Sequence, residues 1–263
     1  MPRCGVLGWP VRHSRSPAMH EAAYAALGLE GWSYQLLPVL PDLFAETVRA
    51  LPGAGFGGAN VTIPHKHAAL ALADDATASA RAIGAANTLT FSADGTIHAD
   101  NTDAPAIVDA LPFDAAGARV LLLGAGGTAR AALWALLDAG AADVAVWNRT
   151  RARAEQLTAE LGGRVVDDAV EADLLVNTTA AGLEAGEDQF DQLPLAREAV
   201  AGYRCVVDLV YGAGATDLVA AATAAGVATV DGLEILVRQG ARSFERWTGQ
   251  APPLDVMRSA ARG

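Results

Sequence analysis

The chain is almost without lysine. Of 19 basic side chains in 263 residues, 18 are arginines and one, Lys66, is a lysine. Arginine cannot exchange a proton near neutral pH, whereas lysine can when its surroundings shift it. A lone lysine is therefore either a solvated surface charge, its usual place, or a group kept for proton chemistry. Cysteine is nearly as scarce. Cys4 and Cys205 lie far apart in apolar, strand-like contexts, so at most one disulfide is possible. Neither has metal-ligand spacing, and buried free thiols are the simplest reading. The histidines at 13, 20, 65, 67 and 98 also give no metal site; His65 and His67 are two apart and point different ways on a helix.

Long apolar runs are missing too. None approaches the roughly 18 uninterrupted residues of a membrane-spanning helix, although 52% of the chain is hydrophobic, much of it alanine. The first apolar stretch is broken by Pro10, Arg12 and His13, too soon for a secretory signal. A cytoplasmic location is the expectation. The net charge of −11 argues against nucleic acid and against anionic membrane surfaces. It also means that any anionic ligand needs local donors to overcome the global field.

What is present is an alternation of short apolar runs with helical patterns, the mark of an α/β protein. The N-terminal part reads as βαβαβ followed by a hairpin. Its strands are Cys4 to Leu7, Tyr34 to Val39 and Ala59 to Ile63; its helices start at Ser16-Pro17, with Ser16 as N-cap, run from Asp42 to Leu51, and open with Pro64. Thr88 to Phe91 and Thr96 to His98 flank a hairpin turn at Ala93-Asp94-Gly95. A second unit begins near Arg119, with strands at Val120 to Leu123, Val144 to Trp147, Leu174 to Asn177, Cys205 to Val210 and Ala228 to Val230. Helices from Leu233 to Trp247 and after Pro252-Pro253 finish the chain. The expected domains are residues 1–103 with 233–263 packing back on them, and residues 104–232.

The strongest local motif is Gly124-x-Gly126-x-x-Ala129, placed after a strand and before a helix. Its first glycine serves the tight turn, its second lets the backbone approach a pyrophosphate, and Ala129 packs helix on sheet. A glycine turn without a ligand is the plainer alternative. An NAD site calls for an acid about 20 residues further on, to hold the ribose 2′-hydroxyl. Here the next strand ends in Asn148-Arg149-Thr150-Arg151-Ala152-Arg153, with no carboxylate. Arginines suit a 2′-phosphate instead, which favours NADP. As mere surface charges at a helix start they would oppose the dipole by about 0.3–1 kcal/mol each.

Lys66, two residues after Pro64, sits in the first turn of its helix, where the positive helix end disfavours a charged ammonium. That suits a proton-transfer group better than an ornament. Asp103, just before Pro105 and an apolar helical pattern, fits an N-cap, a catalytic acid, or both. Ser14 and Ser16 bracket Arg15; Asn60 and Thr62 share one strand face; Asn87 opens another strand. Polar groups at strand ends commonly contact ligands, though each alone is weak evidence.

Taken together, the segments His13 to Pro17, Asn60 to Lys66, Ile83 to Thr88, Asn101-Thr102-Asp103, the glycine loop, Asn148-Arg149-Thr150, Asp208 to Tyr211 and Gly232 through Ala241 resemble the shikimate dehydrogenase family in order and spacing, across essentially the whole chain. The resemblance implies an α/β protein of two domains: an N-terminal mixed α/β substrate domain and a Rossmann-type dinucleotide-binding domain with a parallel sheet. It implies reduction of 3-dehydroshikimate by NADPH to give shikimate and NADP, in aromatic amino-acid biosynthesis, by a monomer or homodimer. Ser14 and Ser16 would hold the substrate carboxylate; Thr62, Asn87 and Gln239 would contact the ring, with Asn60 and Tyr211 nearby; Lys66 and Asp103 would form the catalytic pair. Gly124, Ala125, Gly126, Gly127 and Thr128 would cradle the pyrophosphate. Asn148, Arg149, Thr150 and Arg153 would hold the adenosine phosphate, while Thr178, Leu209 and Gly232 would complete the cofactor site. The chain departs from the family at Ala104-Pro105-Ala106, where glycines are commoner, and at Ile235, where methionine is common. Two other readings stay open: an NAD-linked quinate/shikimate dehydrogenase, which often carries threonine at the second serine and an acid at the cofactor turn, and a non-catalytic NADP-binding regulatory module.

Overall fold

The computed structural model describes residues 2–183, 187–212 and 214–263. The chain divides into two units, one comprising residues up to Asp103 with Leu236–Gly263, the other Ala104–Ile235.

The first unit contains, in order, β1 (Arg3–Gly8), α1 (Ser16–Ala26), β2 (Ser33–Pro38), α2 (Phe44–Ala50), β3 (Phe56–Val61), α3 (Lys66–Leu72), β4 (Asp75–Ala76), α4 (Ala78–Ile83), β5 (Thr88–Phe91) and β6 (Ile97–Asp100). Its sheet runs β2-β1-β3-β5-β6-β4. It is mixed: β1 pairs parallel with β2 and β3, whereas β3, β5 and β6 are joined antiparallel. Alternation along the strands sends side chains into two cores. Cys4 and Val6 of β1 enter one, while Leu7 and the β3 residues Ala59 and Val61 enter the other. The opposite face of β3 carries Gly58 and Asn60.

The second unit opens with α5 (Asp103–Asp109), whose first residue belongs to the first unit. It continues with β7 (Arg119–Leu123), α6 (Gly127–Asp138), β8 (Asp143–Trp147), α7 (Arg151–Leu161), β9 (Arg164–Val165), β10 (Leu174–Asn177), β11 (Cys205–Asp208), α8 (Asp217–Ala224) and β12 (Ala228–Val230). All six strands are parallel, in the order β12-β11-β10-β7-β8-β9. Val120 and Leu122 face one core while Leu121 and Leu123 face another. Burial on both faces explains why β7 reads as an unbroken apolar run. The order reverses direction between β7 and β10, the switch point at which such sheets bind ligands.

The unit boundary falls within α9 (Gly232–Thr248), and α10 (Leu254–Arg262) ends the chain. α10 packs on α1, and Val237, Phe244 and Met257 are fully buried among Cys4, Met19 and Tyr24. Each such side chain contributes about 1.5–3 kcal/mol. Gly58 is where the Trp247 indole of α9 lies against the sheet, leaving no room for a Cβ. No helix of the described residues is long and apolar enough to cross a membrane.

Several sequence expectations need adjustment. Ser16 is the first residue of α1 rather than its cap; Arg15 holds the cap position, and Ser14 Oγ accepts the Ser16 N–H at 3.3 Å. The helix expected over Asp42 to Leu51 is a 3₁₀ turn, Pro41–Leu43, followed by α2. β3 starts earlier than its apolar run, because pairing with β1 carries it back through Gly57 and Gly58 to Phe56. β4 and β9, two residues each, exist only through pairing with β6 and β8. α4 lies between two local signals: Thr77 caps it by accepting the Ala80 N–H, and Gly84 closes it at φ 75°.

Candidate active site

In the first unit the chemistry gathers around the starts of α3 and α5. After β3 the chain turns through Ile63-Pro64, and neighbouring side chains diverge. His65 donates from Nε2 to the Val39 carbonyl at 2.8 Å and stacks on Phe44. Lys66, the first residue of α3, turns the other way. Its Nζ donates to Asp103 Oδ2 at 2.7 Å, and the two side chains are only 10% and 9% exposed. The Lys66 carbonyl accepts the Ala86 N–H at 2.9 Å, which draws the Asn87 segment alongside.

Asn87 is held in one orientation. Its Oδ1 accepts the Thr102 backbone N–H at 2.7 Å, a donor that cannot be reversed, so its Nδ2 must face the other way. That Nδ2 donates to Asp103 Oδ1 at 2.8 Å and to Gln239 Oε1 at 3.3 Å. Asp103 thus receives one hydrogen bond on each oxygen. The carboxylate is fixed at both oxygens. Asn101 tightens the corner: its Oδ1 accepts the Asp103 N–H, and its Nδ2 donates to Ala85 O.

Asn60 enters the same network one layer back. Its Oδ1 accepts the Tyr34 hydroxyl at 2.7 Å, and its Nδ2 donates to Asn87 O, Thr88 Oγ1 and Ser243 Oγ. Ser243, Thr88 and Thr102 link their hydroxyls behind Asn87, and Ser243 donates back to Gln239 O. Lys66, Asp103, Asn87, Gln239 and Asn60 therefore form one hydrogen-bonded cluster. Ser14, Ser16 and Thr62 make local bonds instead: Ser16 N–H to Ser14 Oγ, and Thr62 N–H to Leu7 O. Ser14 and Thr62 are half-buried.

The second unit holds a cavity of about 360 Å³ at the β7/β10 switch point. Gly124 adopts φ 113°, and a Cβ there would overlap the Thr178 hydroxyl, which donates to Leu123 O. This glycine is required twice, by its conformation and by lack of room. Gly126 differs: its backbone is extended (φ −90°, ψ −172°), which any residue adopts, and a Cβ would meet nothing within 4 Å. The open space lies before the first N–H groups of α6, a cradle that fits a pyrophosphate. Gly127 begins that helix, Thr128 follows it, and Ala129 is fully buried against the sheet.

Asn148 and Arg149 line the same cavity; Arg149 is exposed, and Asn148 Nδ2 donates to Thr150 O. Arg151 is engaged by Glu155 and Asp167. Thr150 and Arg153 are exposed and not among the lining residues. Leu209 N–H bonds Asn177 O, and Gly232 packs so closely on the Leu209–Val210 backbone that a Cβ would meet the Leu209 carbonyl oxygen at 2.5 Å. Tyr211 is half-buried just beyond β11, and Ile235 is a core residue of this unit.

Some participants escaped the sequence. Ser243 lies one helical turn after Gln239, so periodicity could have flagged it. Glu187 and Gln192 line the cavity, Gln192 Nε2 donating to Glu187 Oε2 at 2.9 Å. They come from a segment without any recognisable motif. Burial pushes the thiols up, Cys4 to about 12 and Cys205 to about 11, which fits inert core cysteines.

Comparison with known proteins matches three consecutive family models: "Shikimate dehydrogenase substrate binding domain" over residues 6–89, "Shikimate / quinate 5-dehydrogenase" over 108–235, and "Shikimate 5'-dehydrogenase C-terminal domain" over 232–262. A relative from Paracoccus denitrificans, named shikimate dehydrogenase (NADP(+)), is 47% identical over 97% of this chain and 93% of its own. One of the same name from Roseobacter denitrificans is 43% identical over 100% and 98%. The crystal structure of shikimate 5-dehydrogenase from Thermus thermophilus, in complex with NADP(H) and shikimate, superposes with a TM-score of 0.89 at 40% identity, covering 100% of this chain and 99% of that one.

Proposed function

The chain belongs to the shikimate dehydrogenase family, and on that premise we propose that it is an NADP-dependent shikimate dehydrogenase, reducing 3-dehydroshikimate to shikimate in aromatic amino-acid biosynthesis. The observation that carries the reading is the buried Lys66–Asp103 pair with Asn87 locked against it. It acts on a small molecule in the cytoplasm, as a monomer or homodimer.

Bound NADPH supplies the hydride. The protein's tasks are to orient the ring and to manage one proton. Reduction of a ketone builds negative charge on its oxygen. The Lys66 ammonium stabilises that charge and donates the proton; in the oxidative direction its amine accepts it. Asp103 holds Lys66 in place. Asn87 and Gln239, bonded to each other, meet the ring hydroxyls. Thr62 meets the ring from the end of β3, and Ser14 and Ser16 take the carboxylate. Asn60 supports Asn87 from behind.

Gly124 to Thr128, in the glycine cradle before α6, would hold the pyrophosphate, with Thr178 completing the site. Arg149, with Asn148, Thr150 and Arg153 around the same turn, would hold the 2′-phosphate. The absent acid at that turn favours NADP over NAD.

The test is steady-state oxidation of shikimate and of quinate with each of NADP and NAD. The expected result is turnover of shikimate with NADP as the best pairing. No turnover with any pairing would refute the enzyme reading and leave a binding module. Preference for quinate with NAD would refute both the substrate and the cofactor assignment.

A further inference from the structure

We propose that Asp208 is a positioning residue for cofactor binding, a dehydrated carboxylate that pins the wall of the cavity formed by residues 177–181. The proposal rests on the reading of that cavity as the NADP site.

Asp208 ends β11 and is fully buried. Each of its oxygens receives two hydrogen bonds. Oδ1 accepts from Asn177 Nδ2 at 2.9 Å and from the Val210 N–H at 3.1 Å; Oδ2 accepts from Gln189 Nε2 at 2.9 Å and from Thr216 Oγ1 at 2.6 Å. The direction of every bond is fixed. Val210 offers a backbone N–H, which can only donate. Asn177 Oδ1 is occupied by the Thr179 N–H and hydroxyl, so its amide nitrogen must face Asp208. Gln189 Oε1 accepts the Leu218 N–H, which sets its nitrogen likewise. Thr216 Oγ1 accepts the Val219 N–H at the start of α8, so its own proton goes to Asp208. A proton on Asp208 would face only donors. Burial pushes this carboxyl above the ordinary carboxylate range, and the bonds from Thr216, Gln189, Val210 and Asn177 pull it back only in part; it is the convergence of four donors, with no acceptor for a proton, that assigns the carboxylate.

The partners lead directly to the cavity. Asn177 holds Thr179 by two bonds, and Gln189 Nε2 also donates to Ala181 O at 2.9 Å. Thr179 and Ala181 both line the cavity. Gln189 further lies against Gly182, where a Cβ would meet its Cδ at 2.9 Å. One buried anion therefore joins the end of β10, the loop after it, the start of α8 and the segment bearing Gln192. A buried network of this kind is stable only when every member is satisfied. Neutralising its centre turns aimed donors into unpaired groups and releases the wall they hold.

The experiment compares wild-type protein with D208N and Q189M. NADP+ is titrated calorimetrically, and the KM for shikimate and kcat are measured at saturating NADP+. D208N keeps the shape but aims an amide nitrogen at two donors. Q189M keeps the carboxylate and cuts its link to Ala181. Both are expected to raise the Kd for NADP+ by about tenfold or more, the scale of one lost hydrogen bond to a charged group. The KM for shikimate should stay unchanged, a split that a general structural defect would not give. Wild-type affinity for NADP+ in the variants would overturn the proposal. So would a parallel impairment of shikimate KM and kcat. If D208N does not fold, Q189M decides alone. Wild-type protein that bound no NADP+ would instead overturn the function on which the proposal rests.

Discussion

The Lys66 ammonium and the Asp103 carboxylate, 37 residues apart in sequence, meet at 2.7 Å with both side chains about nine-tenths buried. Two charges taken out of water cost several kcal/mol each, and their attraction offsets this only when the geometry is good and the remaining lone pairs are filled. Asn87 fills one of them on Asp103. A pair of this kind is poor evidence for stability and better evidence for chemistry, because an apolar pair would hold the fold as well.

Arg149 is exposed and lines the cavity at the end of β8. Arg149→Ala should raise the KM for NADP by about tenfold to a hundredfold, the range for losing a charged hydrogen bond, and leave the KM for NAD nearly untouched. The wild-type preference should also weaken with salt, since an exposed charge is screened. Equal losses with both cofactors would place the 2′-phosphate elsewhere.

The two loop glycines should respond differently to alanine. Gly124→Ala forces a side chain into φ 113° and onto Thr178, so the melting temperature should drop. Gly126→Ala meets neither strain nor a neighbour, so stability should hold while the KM for NADP rises. Loss of stability in Gly126→Ala, with cofactor affinity kept, would mean that the space before α6 is not a ligand cradle.

His20 supplies a pH dependence of stability. It is fully buried, stacked on Tyr34 at 4.2 Å, and neither ring nitrogen has a hydrogen-bond partner among the described residues. Burial lowers its pKa from 6.5 to about 3. Between those values the unfolded chain binds the extra proton, so this contribution is complete above pH 6.5 and is lost as pH falls toward 3. The slope is up to about 1.4 kcal/mol per pH unit. His20→Phe should flatten the drop in urea midpoint between about pH 7 and about pH 4.5. An unchanged drop would assign the acid sensitivity to other groups.

Much of this was legible in the sequence, for local reasons. Strands such as Leu174–Asn177 announce themselves because both faces are buried, and Gly124 to Ala129 because turn, cradle and helix contact sit within six residues. The lone Lys66 stood out by composition, and its helix start gave a physical reason to suspect it. The illegible parts are those fixed by tertiary pairing. β4 and β9 are too short to have a pattern of their own. Ser16 was displaced from its capping role because Arg15 occupies that position. Asp208 lies inside the strand expected over Cys205 to Val210, and its donors Gln189 and Thr216 arrive from separate segments. The direction of Asn87, on which Asp103 depends, is set by the Thr102 backbone, and no residue type encodes that.

The most direct test of the account is turnover by Lys66→Ala, measured beside its affinity for shikimate and its fold. Removing one partner of a buried ion pair costs about 3–5 kcal/mol of stability, so circular dichroism must first establish a folded protein. The prediction is shikimate binding close to wild type and a kcat lower by about 10²–10⁴, the range for losing a positioned acid–base group. A folded, shikimate-binding Lys66→Ala protein with near-normal kcat would contradict the central claim and remove the lysine from the mechanism.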